Sequence, residues 1–326
     1  MLMIEIHHII CDGVSHQVLT RDFQALSLGE QLPPLKLHYK DYSEWENSAK
    51  QQDIIAAQEK FWLAEFGTNA PGMVLPTDFD RPEIKSFEGD IINFKYDRGV
   101  VEQLRRMALE EDVTLYMLLL AIFNVFLSKL SGNEDIVMGT TVAGRRHAEL
   151  QGVIGMFVNM LALRNYPAGE KNFIEFLKEI KEKTINVFEN QEYPFEKLVE
   201  KVAGQRNRSH HPIFDVVFGL RKMDEETEGM NEEQVNNWEQ AQVKFKRNTS
   251  KYDIVFNVEE TVKDLFFTIE YSTNLFKEET LERFIGYLKN IITVLIEDRN
   301  VKLNDIRIDY KLADAGKNVV FEDFGF

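Results

Sequence analysis

The chain has 326 residues and a formal net charge of -16, from 38 Lys plus Arg against 54 Asp plus Glu. With 44% apolar residues, 24 Phe and little Gly or Pro, it is neither disordered nor collagen-like, and its acidity argues against general nucleic-acid binding. The single cysteine, Cys11, excludes an intrachain disulfide and a cysteine-based zinc site, and fits a reducing, cytoplasmic setting.

At roughly 150 residues per domain the length suggests about two domains. The opening MLMIEIHHIICDG is too short and too soon polar for a signal peptide. Residues 2 to 6 read as a strand. Val14, Val18, Leu19, Phe23 and Leu26 recur at helical spacing, which predicts a helix over 14–26. Residues 32 to 39 hold two prolines and read as a linker. Residues 40 to 66 read as one or two helices ending at Gly67.

Pro71, Pro76 and Pro82 mark 69–86 as an exposed connection or boundary. Beyond it the pattern predicts a strand over 90–96, helices over 100–109 and 115–130, a strand over 135–142 and an AGRR turn. The 115–130 segment is a buried helix rather than a membrane span, since it is short and interrupted by polar residues. A helix over 173–188 follows, then strands over 213–220, 252–258 and 265–271. The last two should pair across a turn at Thr261–Asp264. Residues 224–237 are acidic and weakly patterned, and read as an exposed loop. Residues 281–296 form an amphipathic helix, and the tail after Tyr310 has little periodicity.

The segment His7-His8-Ile9-Ile10-Cys11-Asp12-Gly13 stands out. On a regular strand, successive side chains point to opposite faces, so one histidine should face a reaction space and the other should pack. Asp12 precedes Gly13 and a helix, where it can cap the helix, accept backbone hydrogen bonds or hold a cation. Zinc would need further ligands, and nothing in the Gly-containing turn demands it, so no metal is expected.

Six more segments follow in order: YKDYSEW (39–45), LPTDFDRP (75–82), SGNEDIVMGTTVAGR (131–145), IGMFVNMLALR (154–164), NQEYPFEKLVE (190–200) and RNRSHHPIFDVVF (206–218). Together with HHxxxDG the set resembles the motifs of nonribosomal peptide synthetase condensation domains, relatives of chloramphenicol acetyltransferase, over about residues 1–310. The resemblance implies an α/β, two-lobed acetyltransferase-like condensation fold with most of the N-terminal lobe missing. It divides the chain into a lobe remnant at 1–70, a C-terminal lobe at 71–310 and a tail at 311–326.

The implied reaction is amide formation. An amine on an acceptor carrier-bound thioester attacks a donor carrier-bound acyl or peptidyl thioester. No cofactor is bound intrinsically, since the substrates ride on the phosphopantetheine arms of the carriers. Implied partners are carrier-protein domains, an adenylation domain and the missing lobe in trans, with neither nucleic acid nor membrane. The alternatives are a related acyltransferase using coenzyme A thioesters, and an inactive, carrier-docking remnant.

By the resemblance the catalytic residues are His8, Asp12 and Gly13. His8 either takes the proton of the attacking amine or positions that amine. Asp12 is mainly structural, and Arg164 is its expected partner. Gly13 permits a geometry that a side chain would crowd, and its N–H is a candidate oxyanion donor. His7 packs or orients, Asn159 makes a structural hydrogen bond, and Ser209 is a candidate contact for the pantetheine arm. Val14, Met160 and His210 depart from the usual aromatic, Thr and Arg of the family.

Overall fold

The computed structural model describes residues 4–67, 72–202, 208–222 and 248–308. Part of the expected first strand, the 70/71 boundary, the 224–237 loop and the 311–326 tail lie outside the described residues.

Among the described residues, six strands form one mixed sheet in the order β1-β6-β5-β4-β2-β3. They are β1 (Gly89–Lys95), β2 (Ile136–Val142), β3 (Asn159–Asn165), β4 (Val216–Lys222), β5 (Ile254–Glu260) and β6 (Leu265–Ser272). β5 and β6 pair antiparallel, as the sequence predicts, and the turn closes through Thr261 N–H donating to Asp264 O at 3.0 Å. β4 runs parallel to both β5 and β2, while β2–β3 and β1–β6 are antiparallel.

Among the described residues the helices are α1 (Gly13–Ser27), α2 (Tyr39–Glu46), α3 (Ala49–Phe66), α4 (Arg98–Glu110), α5 (Leu115–Ser131), α6 (Phe173–Glu189), α7 (Phe195–Val202) and α8 (Glu278–Glu297). Helix α5 is the centre of the core. Thr114 caps its start by accepting from Met117 N–H, and Gly132 ends it at φ 69°. Almost all of α5 is buried, and Phe123 meets Phe218 and Phe256 on the sheet with ring centroids 4.9 and 4.5 Å apart. Helices α4, α6 and α8 pack beside it. Trp62 and Phe66 of α3 belong to the same core.

Two sequence expectations change. Residues 4–7 carry no regular structure, and His8–Ile10 form a 3-10 turn instead of continuing a strand. No strand of the described sheet lies beside this segment, so its backbone closes locally, with Ile10 N–H on His7 O and Cys11 N–H on His8 O. Strand β3 lies in the FVNMLALR segment, to which the sequence patterning assigned no strand. Its run of buried Leu161, Ala162 and Leu163 lacks the alternation of a half-exposed strand.

Candidate active site

Asp12 is the N-cap of α1 and is fully buried. Its Oδ1 accepts from Ser15 N–H at 2.8 Å and from Ser15 Oγ at 2.7 Å, and its Oδ2 accepts from Phe157 N–H at 3.1 Å. Arg145 Nη2 donates to Oδ1 at 3.0 Å, and both side chains of this ion pair are wholly inaccessible. Burial alone would raise the Asp12 pKa. The donors from Ser15, Phe157 and Arg145 outweigh it and hold the carboxyl below its ordinary value. Asp12 is therefore an ionised structural anchor.

The partner of Asp12 is Arg145, not Arg164. Arg164 forks onto Asp135 at 2.9 and 2.7 Å and donates to Glu65 O at 3.0 Å. In register, Arg164 lies opposite Val137 on β2, whereas Arg145 sits in the loop after β2 that folds back against α1. Gly144 makes that loop possible. It has φ 66°, and a Cβ there would lie 1.8 Å from Phe157 O. Arg145 also donates to Leu150 O and Val153 O, and its guanidinium lies 4.0 Å from the Phe157 ring centroid. The β2–β3 connection is thus clamped to the start of α1. Sequence patterning gives AGRR as a turn and does not single out Arg145, Ser15 or Phe157. The usable signal was a Gly-Arg pair at a strand end, inside a motif already noted.

This clamp fixes Cys11, whose buried thiol is pushed up in pKa chiefly by burial. The Cys11 carbonyl in turn meets His8 Nδ1 at 2.6 Å. A carbonyl only accepts, so Nδ1 is the donor, and in the neutral ring Nε2 carries the free lone pair. His8 is exposed, and no described residue bonds to Nε2. His7 takes the opposite tautomer, because its Nδ1 accepts from Ile9 N–H at 3.1 Å. His7 is also exposed, so it caps the 3-10 turn rather than packing.

Gly13 opens α1, where the first N–H groups have no intrahelical acceptor. A Cβ at Gly13 would meet no atom within 4 Å, so the expected crowding is absent and open space lies over this helix end. Asn159 does make structural bonds. Its Nδ2 donates to Gln191 O and Tyr193 O at 2.9 and 2.8 Å, and its Oδ1 accepts from Phe195 N–H, tying β3 to the start of α7. Ser209 falls in a different cluster. Its carbonyl accepts from Arg81, which pairs with Asp253, while Lys85 and His210 approach Asp215.

The Condensation domain family matches residues 1–312. The chain belongs to the condensation domain family. Gramicidin S synthase 2 of Aneurinibacillus migulanus is 41% identical over 330 residues, covering 99% of this chain and 7% of that protein. Surfactin synthase subunit 1 of Bacillus subtilis (strain 168) is 42% identical over 308 residues, covering 94% of this chain and 8% of that protein. The condensation domain therefore spans less than a tenth of the length of these relatives.

Solved structures share the fold. The X-domain in complex with OxyB from teicoplanin biosynthesis superposes with a TM-score of 0.78 at 23% identity, covering 95% of this chain and 69% of that one. The four-domain nonribosomal peptide synthetase holo-AB3403 gives a TM-score of 0.78 at 22% identity over 94% of this chain and 24% of that chain. The α/β condensation fold expected from the motifs is thus the fold observed.

Proposed function

We propose that this condensation domain forms an amide between two carrier-bound thioesters, with His8 Nε2 as the group that meets the attacking amine. The observation that carries the reading is the His8–Cys11 bond. It fixes the tautomer and leaves one basic nitrogen exposed beside the unobstructed start of α1. The amine nitrogen attacks the thioester carbonyl carbon. Its proton passes to Nε2, and the oxyanion faces the Gly13 N–H. The C–S bond then breaks, and the thiolate leaves with the proton that Nε2 returns. The names of the relatives, synthases of gramicidin S and surfactin, support a place in peptide assembly. Carrier and adenylation domains are the expected neighbours on that reading.

The apolar side of α1 supports a further part of it. Phe23 is 51% exposed and Leu26 57%, although both belong to the periodic stripe that predicts the helix. Such a patch calls for a cover. The X-domain extends beyond the matched region by about a third of its length, and we assign the cover to that remainder of the fold. The test is a reconstituted domain given an acyl-loaded donor carrier and an aminoacyl-loaded acceptor carrier, with products read by mass spectrometry. The expected product is the amide on the acceptor carrier. Transfer from a coenzyme A thioester to a free amine, with no carrier-bound product, would overturn the reading.

A further inference from the structure

A cavity of about 150 Å³ lies between α2, the loop after β2, the segment before β3 and the start of α7. One wall is aromatic. Tyr42 stands 5.7 Å from Trp45 and 4.7 Å from Phe157 between ring centroids, and Trp45 meets His147 edge-on at 5.4 Å. The polar lining is acidic, with Glu46, Glu192 and Glu196 against the single guanidinium of Arg146. Arg146 is committed to Glu192 at 3.2 Å. Glu46 has no cationic partner among the described residues, and its one side-chain bond is from the Tyr42 hydroxyl at 3.2 Å.

Gln51 adds an independent sign. It is 3% exposed and lines the cavity, yet its side-chain amide bonds to no described residue. The amide is not sealed from solvent, so it reaches the open space of the cavity, where a ligand can replace water as its partner. Its carbonyl oxygen suits an N–H donor, the uncompensated carboxylate suits a positive charge, and the aromatic wall suits an organic cation rather than a hydrated metal ion.

We propose that this cavity binds an alkylammonium or guanidinium group, held by Glu46, the Gln51 amide and the Tyr42–Trp45 wall. The site is separate from His8 and does not rest on the proposed reaction. It shares Phe157 with the Asp12–Arg145 clamp, since that ring lines the cavity and also carries the Arg145 guanidinium.

The cation can come from a free amine or from a basic side chain of a polypeptide. The test titrates the whole chain with n-butylammonium chloride and with acetyl-Gly-Lys-Gly-amide, following Trp fluorescence and calorimetry. Neutral controls are 1-butanol and acetyl-Gly-Gln-Gly-amide. Saturable binding below about 10 mM of either cation, with at least a tenfold loss in Glu46→Gln and in Trp45→Leu, is the expected result. Binding of butylammonium alone identifies a free amine as the ligand, and binding of the peptide identifies a presented lysine. Gln keeps the acceptor for the Tyr42 hydroxyl and Trp45 is partly exposed, so both variants should melt like the parent. No saturation by either cation, equal binding of the neutral controls, or unchanged binding in both variants would overturn the proposal.

Discussion

At the scale of single residues, the motif divides its labour sharply. His8 is exposed and holds one free nitrogen, while Asp12 is buried and saturated with donors. The HHIICDG pattern was legible because unusual residues sit close together in sequence. The Arg partner was not, because it depends on how a loop folds back from β2, and charge alone did not separate Arg145 from Arg164. A double-mutant cycle decides between them. Arg145→Ala should cost about 3–5 kcal/mol, since it strands a buried carboxylate, and it should couple strongly to Asp12→Asn. Arg164→Ala should show no coupling to Asp12, since its fork is on Asp135. Denaturant unfolding of the four variants measures both.

Glycines give a second contrast at this scale. Gly144→Ala should destabilise strongly, because it combines φ 66° with a Cβ driven into Phe157 O. Gly13→Ala should melt no lower than the parent, because its Cβ position is open and Ala is the better helix former. A drop in melting temperature for Gly13→Ala would mean that the space over α1 is already filled.

At the scale of elements, most helices were legible from periodicity, and the caps found in the structure agree with it. Thr114 before α5 and Asn172 with Glu175 at the start of α6 are examples. Residues 4–6 of the expected first strand are irregular for a physical reason: a strand needs a neighbour, and no strand of the described sheet lies beside them. The proline-rich connection was legible as irregular chain, yet not as the carrier of Arg81 and Lys85, which reach Asp253 and Asp215 ahead of β5 and β4.

His211 lies beside this network, with its ring against Phe195, Phe214 and Tyr252. Burial first, then the charges of Lys85 and Lys251, push its pKa down to about 4, against the pull of Asp215. The unfolded imidazole titrates at about 6.5. Between those values the unfolded chain takes a proton that the folded one refuses, so stability falls as pH drops from about 6.5 toward 4. Thermal melts should show a steeper fall for the parent than for His211→Phe over that window. Equal slopes would mean that His211 does not titrate as its surroundings require.

At the scale of the whole molecule, one mixed sheet and a buried central helix hold the β2–β3 connection against α1, and that junction positions His8. The class of fold was legible from motif order. The geometry of the junction was not, because it joins residues about 130 to 145 positions apart through backbone groups such as Phe157 N–H and Gly155 O. Sequence patterning reports which face of an element is apolar. It does not report which face finds a partner, and α1 shows the difference.

The account turns on His8 acting in chemistry while Asp12 acts in structure. The most direct test is the single-turnover rate of amide formation in the reconstituted domain, read beside melting temperature, for the parent, His8→Ala and Asp12→Asn. His8→Ala should lose at least about 10²-fold in rate with an unchanged melting temperature and unchanged carrier binding. Asp12→Asn should lose rate and melting temperature together. A His8→Ala variant that keeps its rate, or that loses it only in step with stability, would contradict the account.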